Sequence, residues 1–373
     1  MKTSIVLGAG FGDEGKGNVT NCLTKDIPYS LVVRFNGGHQ AGHTVIYYEN
    51  RHVFSSFGSG TLNGTPTFWS RYCTIYPPGF IREYDALTKL GIRPTMYVDP
   101  LCPITTPFDI DTGRYDELLN GHGSCGSGFG KTIWRHETLD HSYRIFAKDI
   151  DNEWILREKL KTLALLFPER NKFEFDIEAF IETCKVWRSR VHILSEYDVF
   201  QREYRANIVF EGAQGILLDR EHGIFPHVTR SQTTSKNALE IIQRNGLTLP
   251  EIYYVSRCYQ TRHGNGPLLG ECSSEELGLI NFESETNVEN TWQGKFRYAP
   301  FSMQMLEYAK SSDKCYHNVA GIKTSLVITC LDQFDQYIPV LDDNGLPVKY
   351  SIDNFKRLFP FGTIFSHSLS LSI

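Results

Sequence analysis

Five short apolar runs bounded by glycine-containing turns set what this chain can fold into: Ile5 to Leu7, Leu31 to Val33, Ile208 to Phe210, Ile252 to Val255 and Leu326 to Ile328. Runs with no polar alternation read as strands buried on both faces, as in a largely parallel sheet. Helical patterns lie between them. Ile177, Phe180, Ile181 and Cys184 fall at i, i+3, i+4 and i+7 and make one apolar stripe, and Trp154 to Leu166 is apolar often enough for a second helix. Alternating strands and helices predict an α/β architecture, a P-loop-like, largely parallel central sheet flanked by helices. No Pro-, Gly- or Ser-rich linker and no fixed-spacing repeat divides the chain. The expected organisation is therefore a single domain over residues 1–373 with a helical insertion at about 150–200.

Charge narrows the partners. A formal net charge of -5 and a pI near 6.2 argue against a nucleic-acid surface, which needs clustered Lys and Arg, so small molecules are expected instead. The nine cysteines are scattered with no CxxC pair, which disfavours a disulfide framework or zinc site and suits a reducing cytoplasm. Ile5-Val6-Leu7 is too short for a signal or membrane segment, so no membrane association is expected.

The first run leads into Gly8-Ala9-Gly10-Phe11-Gly12-Asp13-Glu14-Gly15-Lys16-Gly17. Glycines between a strand and a helix let backbone N–H groups approach phosphate oxygens, and Lys16 adds a cation. Gly10 to Lys16 fits GxxxxGK, but Gly17 follows where a Ser or Thr hydroxyl would bind Mg²⁺. Asp13 is the natural substitute ligand. A plain glycine turn is the bland alternative; the acidic pair and the lysine weigh against it. The second run leads into Arg34-Phe35-Asn36-Gly37-Gly38-His39-Gln40-Ala41-Gly42-His43-Thr44. A histidine on such a loop can donate a proton to an oxygen gaining charge, which makes His43 a candidate acid. His39 reads as structural.

GDEGKG followed by GGHQAGHT closely resembles the adenylosuccinate synthetase signatures, and further matches follow in the family's order. Ser124-Cys125-Gly126-Ser127-Gly128-Phe129-Gly130 is similar to its TTGRGIG loop. Phe210-Glu211-Gly212-Ala213-Gln214-Gly215, with Leu218-Asp219, His222-Gly223, Pro226 and Val228-Thr229, resembles its FEGAQG block, and Thr261 to Pro267 its TRVGxGP. The resemblance implies a ligase of that fold that joins aspartate to a 6-oxopurine nucleotide through a phosphorylated intermediate. It implies Asp13 as the base at purine N1 and a Mg²⁺ ligand beside the Gly42 carbonyl, with His43 as the acid at O6. Lys16 would be catalytic, and Gly12, Glu14, Gly15, Lys16, Gly17, Gly42, His43 and Thr44 would surround the donor phosphates. Asp13, Gln40, Ser124, Cys125, Gln214 and Thr229 would bind the purine nucleotide, Gln214 also serving catalysis. Arg135 would be lent to the neighbouring subunit's nucleotide in a homodimer.

Two stretches depart from the common pattern. In place of the family's TTTGRxR aspartate loop stands Asn290-Thr291-Trp292-Gln293-Gly294-Lys295-Phe296-Arg297. Thr291, Gln293, Gly294, Lys295 and Arg297 would bind aspartate, Arg297 gripping a carboxylate with its fork. This loop resembles that of shortened phage relatives from the 2-aminoadenine DNA pathway, N6-succino-2-amino-2′-deoxyadenylate synthases, which take dGMP in place of IMP. Where the family's TKLDVLDGFD reads guanine through an aspartate, Thr329 stands, and Val327 replaces the lysine. ATP is the expected donor, in host cytoplasm if the chain is phage-encoded. Asp13 points the other way, since those phage enzymes carry serine there. The resemblance still implies dGMP, aspartate and ATP as the expected substrates, with IMP and GTP or ATP, as in a conventional adenylosuccinate synthetase, the closest alternative. A nucleotide-binding switch module is the alternative from another class.

Overall fold

The computed structural model describes residues 1–121, 123–166, 176–201, 206–280, 292, 294–318 and 320–366. At its centre is a nine-stranded sheet in the order Ile364–Phe365, Lys323–Thr329, Glu251–Arg257, Lys2–Gly8, Asn207–Glu211, Ser30–Arg34, Thr67–Trp69, Met96–Val98, His192–Ile193. Every neighbouring pair is parallel. The five apolar runs are the five consecutive inner strands, where both faces are covered and polar alternation has no place.

Successive side chains of these strands go to opposite layers. Ile5, Leu7, Leu31, Val33, Ile208, Phe210, Ile252, Tyr254, Leu326 and Ile328 join one cluster. Val6, Val209, Tyr253, Val255 and Val327 pack on the other face against Val19 and Leu23 of helix Lys16–Thr24. A third cluster fills the far edge. Within residues 150–200 lie helices Glu153–Leu166 and Ile177–Arg188, which pack on each other, the second also on Pro77–Lys89. Phe180, Ile181 and Cys184 are buried, as the stripe requires, whereas Trp154 is 68% exposed. No described helix is long and apolar enough to cross a membrane.

Four motif loops leave the carboxyl ends of inner strands: 8–17, 35–43, 212–215 and 258–267. In an open parallel sheet that edge is where ligands bind.

Candidate active site

The first loop is wound around its own glutamate. Glu14 Oε1 accepts from Gly10 N at 3.1 Å and Gly12 N at 2.7 Å, and Oε2 accepts from Lys16 Nζ at 2.6 Å. Glu14 and Lys16 are both buried. The crowding explains Gly215: a Cβ there would sit 2.7 Å from Glu14 Oε1 and 2.2 Å from Gly10 O. The sequence places Glu14 and the Gly12 amide among the phosphate-binding groups. The structure differs, because this carboxylate turns into the loop and spends that amide. Gly15, left-handed at φ 94°, caps the helix that begins at Lys16, and Gly17 lies deeper in its first turn. Asp13, also left-handed at φ 65°, stays outside this arrangement. Burial raises its carboxyl above the ordinary range against the opposing charges of His263, Arg257 and Lys16, with His263 Nε2 at 3.9 Å from Oδ2.

Against that helix lies His43, at the start of hairpin His43–Tyr47/Asn50–Phe54, with Thr44 beside it. The approach is close, since a Cβ on Gly17 would lie 3.0 Å from His43 Cβ and 3.3 Å from Thr44 O. His43 Nδ1 is 2.6 Å from Glu211 Oε1. Glu211 also accepts from Ser59 N at 3.0 Å and from the Ser59 hydroxyl. Burial pushes the Glu211 carboxyl up, but His43, Arg34 and Ser59 together hold it down at about 2. Arg34 Nη1 lies 3.9 Å from Glu211 Oε2, and none of its guanidinium nitrogens makes a hydrogen bond. An ionised Glu211 therefore accepts a hydrogen bond from His43 Nδ1–H, and burial lowers the imidazole's affinity for a second proton. Sequence reading gave Glu211, Ser59 and Arg34 no role. The available signal was a charged residue closing each of two adjacent buried strands.

Gln214 Nε2 donates to Thr229 Oγ1 at 2.8 Å, which joins two of the residues expected at the purine nucleotide. Gln214 Oε1 and both polar atoms of the Gln40 side chain are buried without partners. A Cβ on Gly37 would be 3.8 Å from Gln40 Nε2 and 3.9 Å from Gln214 Oε1, so the two amides flank one glycine. Unpaired buried carboxamides are costly unless something polar arrives. His39 bridges to the next loop, its Nε2 3.0 Å from Ser127 O, and burial pushes the imidazole down to about 4. Glu117 accepts from Ser124 N at 3.0 Å and Gly123 N at 2.5 Å, and Cys125 Sγ is 2.9 Å from Ser127 Oγ. That loop packs on 258–267, since a Cβ on Gly123 would be 2.6 Å from Asn265 N.

Arg297 donates from Nε to Glu271 Oε1 at 2.7 Å and from Nη2 to Oε2, and Nη1 serves the carbonyls of Gly264 and Gly266. Its fork already holds a carboxylate. Gly294 precedes it in a left-handed turn with an exposed Lys295, while Thr291 and Gln293 fall outside the described residues. Trp292 ties this segment to the Ser124 to Gly130 loop: a Cβ on Gly126 would be 2.7 Å from its ring. Arg135 must be corrected. It is buried, with Nε and Nη2 each 2.8 Å from Asp109 and further bonds to Ile104 O and Tyr143 O. A guanidinium so occupied anchors its own helix and would have to give up these partners to serve a second copy.

Among the described residues no three or more His, Cys, Asp or Glu side chains gather as a metal cluster. Mg²⁺ at a nucleotide site asks for less, one or two carboxylates with phosphate oxygens and water, and Asp13 with the exposed Gly42 offers such hard oxygen donors.

The family model described as adenylosuccinate synthetase matches residues 5–357. The adenylosuccinate synthetase of Marinomonas sp. is 32% identical over 373 residues, covering 94% of this chain and 83% of that protein. That of Emericella nidulans is 27% identical over 374 residues, covering 96% and 83%. Among solved structures, fully ligated adenylosuccinate synthetase from Plasmodium falciparum superposes with a TM-score of 0.71 at 21% identity, covering 99% of this chain and 86% of that one. Cyanophage S-2L succinoaminodeoxyadenylate synthetase, bound to dGMP and dATP as an energy donor, superposes with a TM-score of 0.61 at 18% identity, covering 89% and 85%.

Proposed function

Since this chain belongs to the adenylosuccinate synthetase family, and is thereby a carbon–nitrogen ligase condensing aspartate with a purine nucleotide, we propose that its acceptor is dGMP and its phosphoryl donor ATP. The product is N6-succino-2-amino-2′-deoxyadenylate. Position 329 carries the reading: a threonine replaces the aspartate that reads guanine in the family's donor segment, so the main reason to prefer GTP is gone. The Asn290 to Arg297 loop and the likeness to a dGMP-bound phage enzyme support the acceptor.

In this reading Asp13 removes the N1 proton, and burial suits it to the task by making its carboxylate more basic. O6 then attacks the γ-phosphorus, the bond from that phosphorus to the β-phosphate's bridging oxygen breaks, and the nucleoside diphosphate leaves. Lys16 exchanges Glu14 for the transferring phosphoryl group. His43, held by Glu211 through Nδ1, donates from Nε2 to the developing charge at O6 in its doubly protonated form, which the Glu211 carboxylate favours against the effect of burial. The amine of aspartate attacks C6, the C6–O6 bond breaks, phosphate departs and the amine loses a proton. Gln214, Thr229 and Gln40 hold the nucleotide, and Arg297 takes a carboxylate of aspartate after Glu271 lets go. Asp13 and the Gly42 carbonyl would hold the Mg²⁺ that such enzymes use in general, and the ion would supply positive charge to the phosphates. The homodimer that the resemblance implies would need Arg135 released from Asp109, or another cation, to reach the neighbouring nucleotide.

A second reading, IMP as acceptor, is favoured by two observations: the curated relatives are adenylosuccinate synthetases, and Asp13 is retained. Incubation of the pure protein with aspartate and Mg²⁺, crossing dGMP and IMP with ATP and GTP, decides between them. Succinylated product from dGMP with ATP is expected. Product from IMP alone sinks the first reading.

A further inference from the structure

Two side chains at the carboxyl ends of neighbouring strands grip consecutive carbonyls of the first loop. Arg257, which ends Glu251–Arg257, donates from Nε to Asp13 O at 2.5 Å. Thr329, which ends Lys323–Thr329, donates from Oγ1 to Glu14 O at 2.8 Å. The two residues stand opposite each other in the parallel ladder and both are buried. The carbonyls they hold lie in a backbone that is left-handed at three of four positions: Gly12 at φ 102°, Asp13 at φ 65° and Gly15 at φ 94°. Such a course is unfavourable for a residue with a Cβ and persists only where its surroundings over-determine it. Thr329 also packs on the loop, its Cγ2 lying 3.5 Å from where a Cβ on Gly15 would be.

We propose that Arg257 and Thr329 are positioning residues that hold the loop 12–15 in its phosphate-accepting shape, so that position 329 serves phosphoryl transfer and not the choice of donor base. This rests on the reading above that the loop holds the transferring phosphate. A hydroxyl has one proton. The nearer acceptor is Glu14 O, and Ser256 O is farther at 3.3 Å, so both of its acceptors lie inside the protein. Asp13 itself carries the carbonyl that Arg257 grips, so slack here would move the base as well as the loop amides.

T329V keeps the shape of the side chain and removes the hydroxyl; T329S keeps the hydroxyl. Steady-state rates of the full chain are measured with ATP and with GTP, at varied purine nucleotide and aspartate, beside thermal melts. T329V should lower kcat about tenfold, the upper end for one ordinary hydrogen bond. The loss should be the same for both donors, with the KM of purine nucleotide and of aspartate unchanged and most of the rate restored in T329S. An unchanged kcat with an altered ATP to GTP preference would overturn the proposal, because residue 329 would then be reading the base. A fall in rate matched by a lower melting temperature and not rescued by T329S would overturn it too. Wild-type protein that turns over donor without needing aspartate would strike the functional reading instead. Donor hydrolysis by the same variants then reads the loop, with the same tenfold expectation.

Discussion

Arg34 and Glu211 stand side by side in register at the carboxyl ends of adjacent parallel strands, 3.9 Å apart and wholly buried. Glu211 in turn holds His43 at 2.6 Å. A buried carboxylate that hydrogen-bonds a histidine and a serine and faces an arginine's charge couples the sheet to the loop chemistry.

Replacing that carboxylate by E211Q leaves Arg34 charged and unbalanced, and breaking a buried pair costs about 3 kcal/mol or more. The pH dependence has a definite sign. The folded carboxyl, held at about 2, lies below its ordinary 4.5, so its contribution is complete above the ordinary value and fades as pH falls from there. Melting temperatures of wild type and E211Q should differ by a constant amount from about pH 8 to 5 and converge below about 4.5. Convergence already at neutral pH would show Glu211 to be protonated in the folded state.

Asp13 and His43 answer to rate, not stability. D13N and H43N should each reduce turnover by ~10²–10⁴-fold. Asparagine accepts the left-handed backbone at position 13, and the surroundings raise the Asp13 carboxyl and so disfavour its ionised form, so D13N should melt no lower than wild type. More than half the rate surviving in either variant defeats the role assigned to it.

Glu271 competes with the proposed substrate for Arg297. The pair is part-exposed, so its hold is modest, ~0.2–1 kcal/mol. E271Q should therefore lower the KM of aspartate by up to about fivefold while kcat stays put. A raised KM would mean that Glu271 aims the arginine for substrate.

The inner sheet was legible because strands covered on both faces must be uninterruptedly apolar, and Ile5 to Leu7 or Ile208 to Phe210 could be little else. Thr67–Trp69, Met96–Val98, His192–Ile193 and Ile364–Phe365 escaped notice: two or three residues long and toward the edges, they carry no periodicity to read. Loop order was equally plain, yet the use of individual groups was not. Whether Gly12 N–H faces a ligand or Glu14, and whether Arg135 faces a neighbour or Asp109, depends on side-chain direction in loops and helices that fold back on themselves. Glu211 lay inside a quoted motif, and only the alignment of neighbouring strands gives it Arg34 and His43.

Glu14 on Lys16, Glu117 on the amides of Gly123 and Ser124, and Glu271 on Arg297 have one effect in common. Each cradle for a negative group arrives already neutralised by a tenant from its own chain. Loading such a protein is an exchange of anions, in which the newcomer gains only the margin by which it outbids the resident. If these cradles take the substrates, modest affinity for each substrate alone is the expected consequence of that margin.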